Sequence, residues 1–203
     1  LPMTRRPLFA AAALSAALTL TACNGSPEAG RPNTTPPTAS PTTAPTPAPS
    51  TPAWTEEEQA AITAAQSRYT IARAAIDSAM NAPHKATRGA LESAGNGGNW
   101  IITVLGDVNF QRENGWYQAG KVQVVSTSVA SVTLAGEQPR VGLTVCLDTS
   151  KTSTRFQANN RPVPIGPGNG KRHKADAVLV YAPPAGKTAK MWFLIDEKAS
   201  GSC

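Results

Sequence analysis

Few side chains in this sequence are equipped for chemistry, and their spacing limits what that chemistry is. Among 203 residues there are three cysteines, Cys23, Cys146 and Cys203, and two histidines, His84 and His173. A cysteine serves as a thiolate nucleophile, a metal ligand or half of a disulfide. None of the three has a histidine or another cysteine at metal-ligand spacing, so no zinc set is indicated and no cofactor is expected. Neither histidine has a nucleophile beside it. No G-x-S-x-G, phosphate-binding glycine loop or paired-carboxylate spacing occurs. His173 sits in "GKRHK" with Lys171, Arg172 and Lys174. Such a run is able to touch an acidic polymer, but it reads as a solvated loop tip. His84 follows Pro83 at a helix start and reads as exposed.

The surroundings of Cys23 say more. Arg5 and Arg6 make a basic start, with Met3 the expected first residue, and Pro7 to Thr21 is an uncharged run of mostly Ala and Leu. It falls short of the roughly 20 apolar residues that span a bilayer and reads as an export signal. Leu20-Thr21-Ala22-Cys23 then resembles the lipobox of bacterial lipoproteins: an aliphatic residue, a small residue or Thr, Ala or Gly, and Cys. That resemblance implies a signal peptide over 1–22 and a diacylglycerol on Cys23, which becomes the first mature residue. The implied partner is the membrane, and the implied location is the outer face of the cytoplasmic membrane. Two acyl chains anchor durably where one binds marginally. With Cys23 lipidated, Cys146 and Cys203 are an even pair in an exported chain and are expected to form a disulfide worth about 4 kcal/mol. Without Arg5 and Arg6 the net charge falls from +6 to +4 and is spread along the chain. No nucleic-acid partner is expected from it.

Residues 23–53 follow as a lipidated Cys and a linker. Residues 24–53 hold nine Pro and seven Thr, too little apolar surface for a core, so disorder is expected. As polyproline II those thirty residues would reach roughly 90 Å, a stalk through a wall layer. The folded domain is expected over 54–203. Thr55-Glu56-Glu57-Glu58 is a capping box, and Ile62, Ala65, Tyr69, Ala72, Ile76 and Met80 recur along one helix face. Asn81-Ala82-Pro83 closes that helix. A second one turns Ala86, Ala90, Leu91 and Ala94 inward and stops at "GNGG". A third carries Trp100, Ile101, Val104, Leu105 and Val108, with Asn99 as its cap and Asn114-Gly115 as its stop. From Lys121 the period becomes two, with a bulge expected near Val125. "RVGLTVCLD" sets Val141, Leu143, Val145 and Leu147 on one face and Thr144, Cys146 and Asp148 on the other. "TRFQANNRPVPI" reads as a hairpin turning at Asn159-Asn160, and "ADAVLVYA" and "AKMWFLID" as two more strands. Helices followed by four to six antiparallel strands predict an α+β fold, helices packed on a curved sheet.

In this order of elements, in "VCLDTS" and in Cys203 behind the Trp192 strand, residues 54–203 resemble the nuclear transport factor 2-like superfamily, SnoaL-like proteins included. They are similar to exported lipoproteins of actinobacteria and their phages, which carries a prophage link. The resemblance implies a cone-shaped roll, its sheet wrapped around the first helix and a pocket at the wide end. Enzymes of that class use an Asp or His base with a Tyr or Asp donor, which singles out Asp107, Asp148 and Tyr69. Asp148 reads instead as a strand-end cap and Tyr69 as core. No residue is therefore assigned a catalytic role. The expected function is a lipid-anchored binding or accessory module of the cell envelope, with an envelope protein or the cell wall as partner. The alternative is a small-molecule enzyme of the SnoaL-like kind, an isomerase, hydratase or hydrolase.

Overall fold

The computed structural model describes residues 54–164 and 172–203. The leader, the lipobox residues Leu20, Thr21, Ala22 and Cys23, the linker and Lys171 lie outside the described residues.

Helix α1 runs Glu56–Asn81. Both halves of its capping box form: Thr55 Oγ1 accepts from the Glu58 N–H at 3.2 Å, and Glu58 Oε2 accepts from the Thr55 N–H at 2.9 Å. Three glutamates in the first turn suit the positive end of the helix dipole. Pro83 disfavours helical geometry at Ala82, and α1 stops there. A short 3-10 turn over Pro83–Lys85 follows, then α2, Arg88–Ser93, and α3, Gly98–Glu113. Helix α2 is shorter than the apolar spacing suggests. Leu91 is buried, Ala86 and Ala94 are half-buried, and Ala90 is exposed, because alanine has too little surface to draw a face inward. Helix α3 begins before Asn99: Gly97 is the cap residue and Asn99 lies in the first turn.

The reason is the path of "GNGG". Leu194 N–H donates to the Gly95 carbonyl at 2.7 Å, and Gly97 N–H donates to the Leu194 carbonyl at 2.9 Å. The segment is a one-residue parallel bridge along the last strand. A Cβ at Gly97 would sit 3.1 Å from the Phe193 ring. At Gly95 (φ +98°) it would stand 2.4 Å from Arg68 Cδ, and L side chains rarely adopt that φ. Asn96, fully buried between them, donates to the carbonyls of Ala72 in α1 and Leu91 in α2 at 3.2 and 3.3 Å.

Among the described residues, six strands form two antiparallel sheets. Strands β1 (Trp116–Ala119) and β4 (Ser153–Phe156) pair with each other, and β2 (Gln123–Thr133), β3 (Arg140–Asp148), β5 (Arg172–Ala182) and β6 (Met191–Gly201) pair in that order. The fold is thus α+β, with helices packed on an antiparallel sheet. The expected bulge lies between Val124 and Ser126, with a second between Val129 and Ser131. The expected hairpin over 154–165 is reduced to a single bridge, Arg155 to Pro162. Around it the Phe156 N–H donates to the Arg161 carbonyl at 2.9 Å and the Val163 N–H to the Thr154 carbonyl at 3.0 Å, so Pro162 sits where no N–H is needed, and β4 pairs with β1 as well. Arg172, His173 and Lys174 belong to β5 and not to a loop tip, since the ladder with β3 continues through His173 opposite Leu147 to Arg172 opposite Asp148.

One sheet face carries Val141, Leu143, Val145, Leu147, Ala175, Ala177, Leu179, Trp192 and Leu194, packed on Ala65, Tyr69 and Ala72 of α1. A second cluster joins the C-terminal half of α1 to α2 and α3 through Ile76, Ala79, Leu91, Ile101, Val104 and Val108. Trp100 touches both clusters. On the other sheet face Cys146 is bonded to Cys203, Cα to Cα 5.9 Å, across 57 residues. Lys174 pairs with Cys146 on one side and with Gly201 on the other, so the tail crosses β5 to reach β3. Chain-entropy arguments give this loop about 4 kcal/mol. We expect Cys203→Ser to lower the melting temperature of the purified protein by about 10 °C. Reductant should reproduce that loss in the parent and add nothing in the variant; equal sensitivity of both to reductant would count against the clamp.

Candidate functional site

Three polar side chains stand four residues apart on α1, at Tyr69, Arg73 and Asp77, alongside its apolar face. Each is turned inward and each finds a partner on a strand. Tyr69 is fully buried, and its hydroxyl donates to Glu197 Oε2 of β6 at 2.7 Å. Arg73 Nη1 meets Glu197 Oε1 at 3.0 Å, with the two side chains 13% and 7% exposed. Burial pushes the Tyr69 phenol well above its ordinary pKa, and the Glu197 charge and hydrogen bond push it further. It remains a neutral donor. Asp77, 4% exposed, accepts from Gln118 Nε2 of β1 at 2.9 Å and from the Val122 N–H at 3.1 Å. This carboxylate pins the small sheet and the start of β2 to α1.

Beside this stripe a cleft of about 170 Å³ opens between α1, α3 and β1. Helix α1 contributes Arg73, Asp77 and Met80, α3 contributes Trp100, Val104 and Asp107, and β1 contributes Gln118. Two of the lining residues, Arg73 and Trp100, each carry an N–H, Nε and Nε1, that is closed off from solvent and lacks a hydrogen-bond partner. Asp107 lines the cleft as an exposed residue, and partial desolvation raises its pKa.

The other singled-out residues lie elsewhere. Asp148, at the end of β3, accepts from the Ser150 N–H at 2.8 Å and from Arg172 Nε at 3.2 Å. These contacts, Ser150's first, lower its pKa to about 2. It closes a turn, as a strand-end cap does. His84 is exposed on the turn after α1, and His173 is half-buried in β5. The structure does not bring Asp107, Asp148 and Tyr69 together around one cavity: Asp107 lines the cleft, Tyr69 fills the core beneath the sheet, and Asp148 holds the β3 end. Sequence reasoning missed Arg73, Asp77, Glu197 and Gln118. The four-residue spacing of Tyr69, Arg73 and Asp77 was the available signal. Glu197 was hidden because β6 runs on to Gly201, past the expected strand end.

Among the described residues no helix is long and apolar enough to cross a membrane, and no three His, Cys, Asp or Glu side chains gather as a metal site. No protein-family model matches the chain, and no curated protein does. Among solved structures it is similar to the crystal structure of the intermembrane space region of the chloroplast protein ARC6. The identity is 12%, the alignment covers 71% of this chain and 97% of that one, and the TM-score is 0.47, a likeness too distant to carry an assignment.

Three predictions follow the geometry. Glu197→Ala strands a buried Arg73 charge and is expected to cost about 3–5 kcal/mol in denaturant unfolding. Tyr69→Phe removes one hydrogen bond to a charged group and should cost about 1.5–3 kcal/mol. A Glu197→Ala loss smaller than the Tyr69→Phe loss would contradict the buried ion pair. Asp107 has the opposite sign. Because its folded pKa is raised, ionisation weakens the folded state, and the penalty develops as pH rises past the ordinary Asp value. Asp107→Asn should therefore melt a degree or two higher at pH 7. The difference should vanish below about pH 4.

Proposed function

We propose that this is an exported, lipid-anchored surface protein whose folded domain is a non-catalytic binding or accessory module of the cell envelope, with a nuclear transport factor 2-like roll as its finer fold. The observation that carries the reading is the Cys146–Cys203 disulfide. Such bonds persist in oxidising compartments and are rare where thiols are kept reduced. The pairing uses two of three cysteines and leaves Cys23 as the one available for lipid, behind a basic and apolar leader. The roll is supported by α1 lying along the apolar face of the four-stranded sheet, and the expected partner is an envelope protein or the cell wall. A prophage origin would suit a surface role, and it rests on the sequence resemblance alone.

The alternative, a small-molecule enzyme, needs two free titratable groups converging on one pocket. Tyr69, Glu197 and Arg73 are committed to one another, and Asp77 to Gln118 and Val122. Asp107 remains as the uncommitted carboxylate of the cleft. One such group with no partner base or donor makes a recognition element more readily than a catalytic pair.

Fractionation tests the anchor. The wild-type protein is expected in the membrane fraction and soluble only in detergent. Cys23→Ser should be released to the medium or retain its uncleaved leader. A variant that loses its leader yet still needs detergent would overturn the reading.

A further inference from the structure

A second cleft, of about 340 Å³, opens on the surface beside β1. It is lined by Asn81 at the end of α1, Pro83 and His84 of the turn that follows, Tyr117 of β1 and Gln157 just past β4. Its walls are held firmly. The Tyr117 hydroxyl donates to Asn160 Oδ1, which orients the ring. Gln157 is tied twice to the start of β1: its backbone N–H donates to the Gly115 carbonyl at 2.8 Å and its Nε2 to the Trp116 carbonyl at 2.7 Å. His84 and Gln157 stand exposed at the rim, while Asn81 and Tyr117 are half-buried.

The composition of the lining selects the ligand. No Asp, Glu, Lys or Arg lines the cleft. A charged ligand would give up water there without gaining a counter-charge. A wholly apolar one would leave the amides and the imidazole without partners. The ligand that suits is uncharged, polar along its edge and apolar on its face. Gln157 keeps a second N–H and its side-chain oxygen unengaged, and the His84 ring has no hydrogen bond among the described residues. Tyr117 and His84 supply planar rings against which C–H groups can pack. At about 30 Å³ of liquid per water, the cleft has room for about eleven waters, or one sugar ring with its substituents.

We propose that this cleft binds an uncharged sugar ring, the C–H face of the ring laid against Tyr117 and His84 and its hydroxyl or acetamido groups paired with the Gln157 and Asn81 amides. An N-acetylated hexosamine within a glycan strand offers both kinds of contact. The inference rests on the reading of the domain as a binding module of the envelope and names its ligand class. The fractionation of Cys23→Ser addresses anchoring alone, so either can fail without the other.

The test uses the full-length protein purified in detergent and follows isothermal titration calorimetry and the melting temperature at pH 7. The probes are N-acetylglucosamine trisaccharide, cellotriose, glucosamine trisaccharide and adenosine. Saturable binding of N-acetylglucosamine trisaccharide is expected, and none of adenosine. Glucosamine trisaccharide, the cationic deacetylated form, should bind about tenfold more weakly. Binding of cellotriose as well would assign the ring face as the main contact; binding of the acetylated sugar alone would assign the acetamido group. His84→Ala removes a side chain without a partner, so it should melt like the parent and weaken sugar binding about fivefold. Tyr117→Phe keeps the ring and loses the hydroxyl that serves Asn160, and it should bind like the parent. The proposal is overturned if no neutral trisaccharide binds, which would mean the cleft holds water only. It is equally overturned if adenosine or glucosamine trisaccharide binds as tightly as the acetylated sugar, or if His84→Ala binds like the parent. Recovery of an envelope protein partner with no sugar binding would overturn this site and leave the module reading intact.

Discussion

The placement of α1 on the sheet depends on the contact of Glu197 with Tyr69 and Arg73. Apolar packing alone leaves a helix able to slide, because Ala65, Ala72 and the valines beneath them offer little relief. Charges buried in a core are costly unless paired and hydrogen-bonded. The two oxygens of Glu197 meet one hydroxyl and one guanidinium, one helical turn apart, and that requirement is met at one register. Asp77 repeats the device a turn further on, where it meets β1 and the start of β2. The apolar face drives α1 onto the sheet, and the polar stripe decides where it stops.

This division explains what was legible in the sequence. Periodicity reports burial, so α1, α3 and the alternating β3 could be read directly, and Thr55 with Glu58 marked a boundary. The bulge after Val124 was visible as a break in a two-residue period. Elements set by distant partners were not. Strand β1 is four residues with no alternation in burial, held by β4 and by Asp77. The return strand after Asn160 is shorter than its pattern suggested: among the described residues its pairing with β4 spans Arg161 to Val163 alone. "GNGG" read as a helix stop, yet its conformation is fixed by a strand about a hundred residues away.

The cleft was illegible for the same reason. Tyr69, Asp107 and Asp148 were singled out by residue type, and only Asp107 borders the cavity. Its other polar neighbours come from a helix turn and a short strand whose meeting no local pattern announces. A cavity wall built from α1, α3 and β1 joins three segments spread over more than forty positions, from Arg73 to Gln118, each with its own structural duty. Arg73 serves both the ion pair and the cleft, so the site inherits its rigidity from the core beneath it.

The run along Gly95–Gly97 has a consequence for how copies of this chain meet. A four-stranded sheet has two edges, and an uncovered edge is a template on which another chain can add a strand. The stitch to Leu194 occupies part of the β6 edge, with glycines close enough to Arg68 and Phe193 to leave no gap. Among the described residues no strand pairs with the β2 edge, which is broken by two register shifts within eleven residues. An incoming straight strand would lose its hydrogen-bond phase at each of them. Copies of the chain that meet edge to edge are thereby discouraged from zipping into a shared sheet, and that separateness is built into the backbone itself.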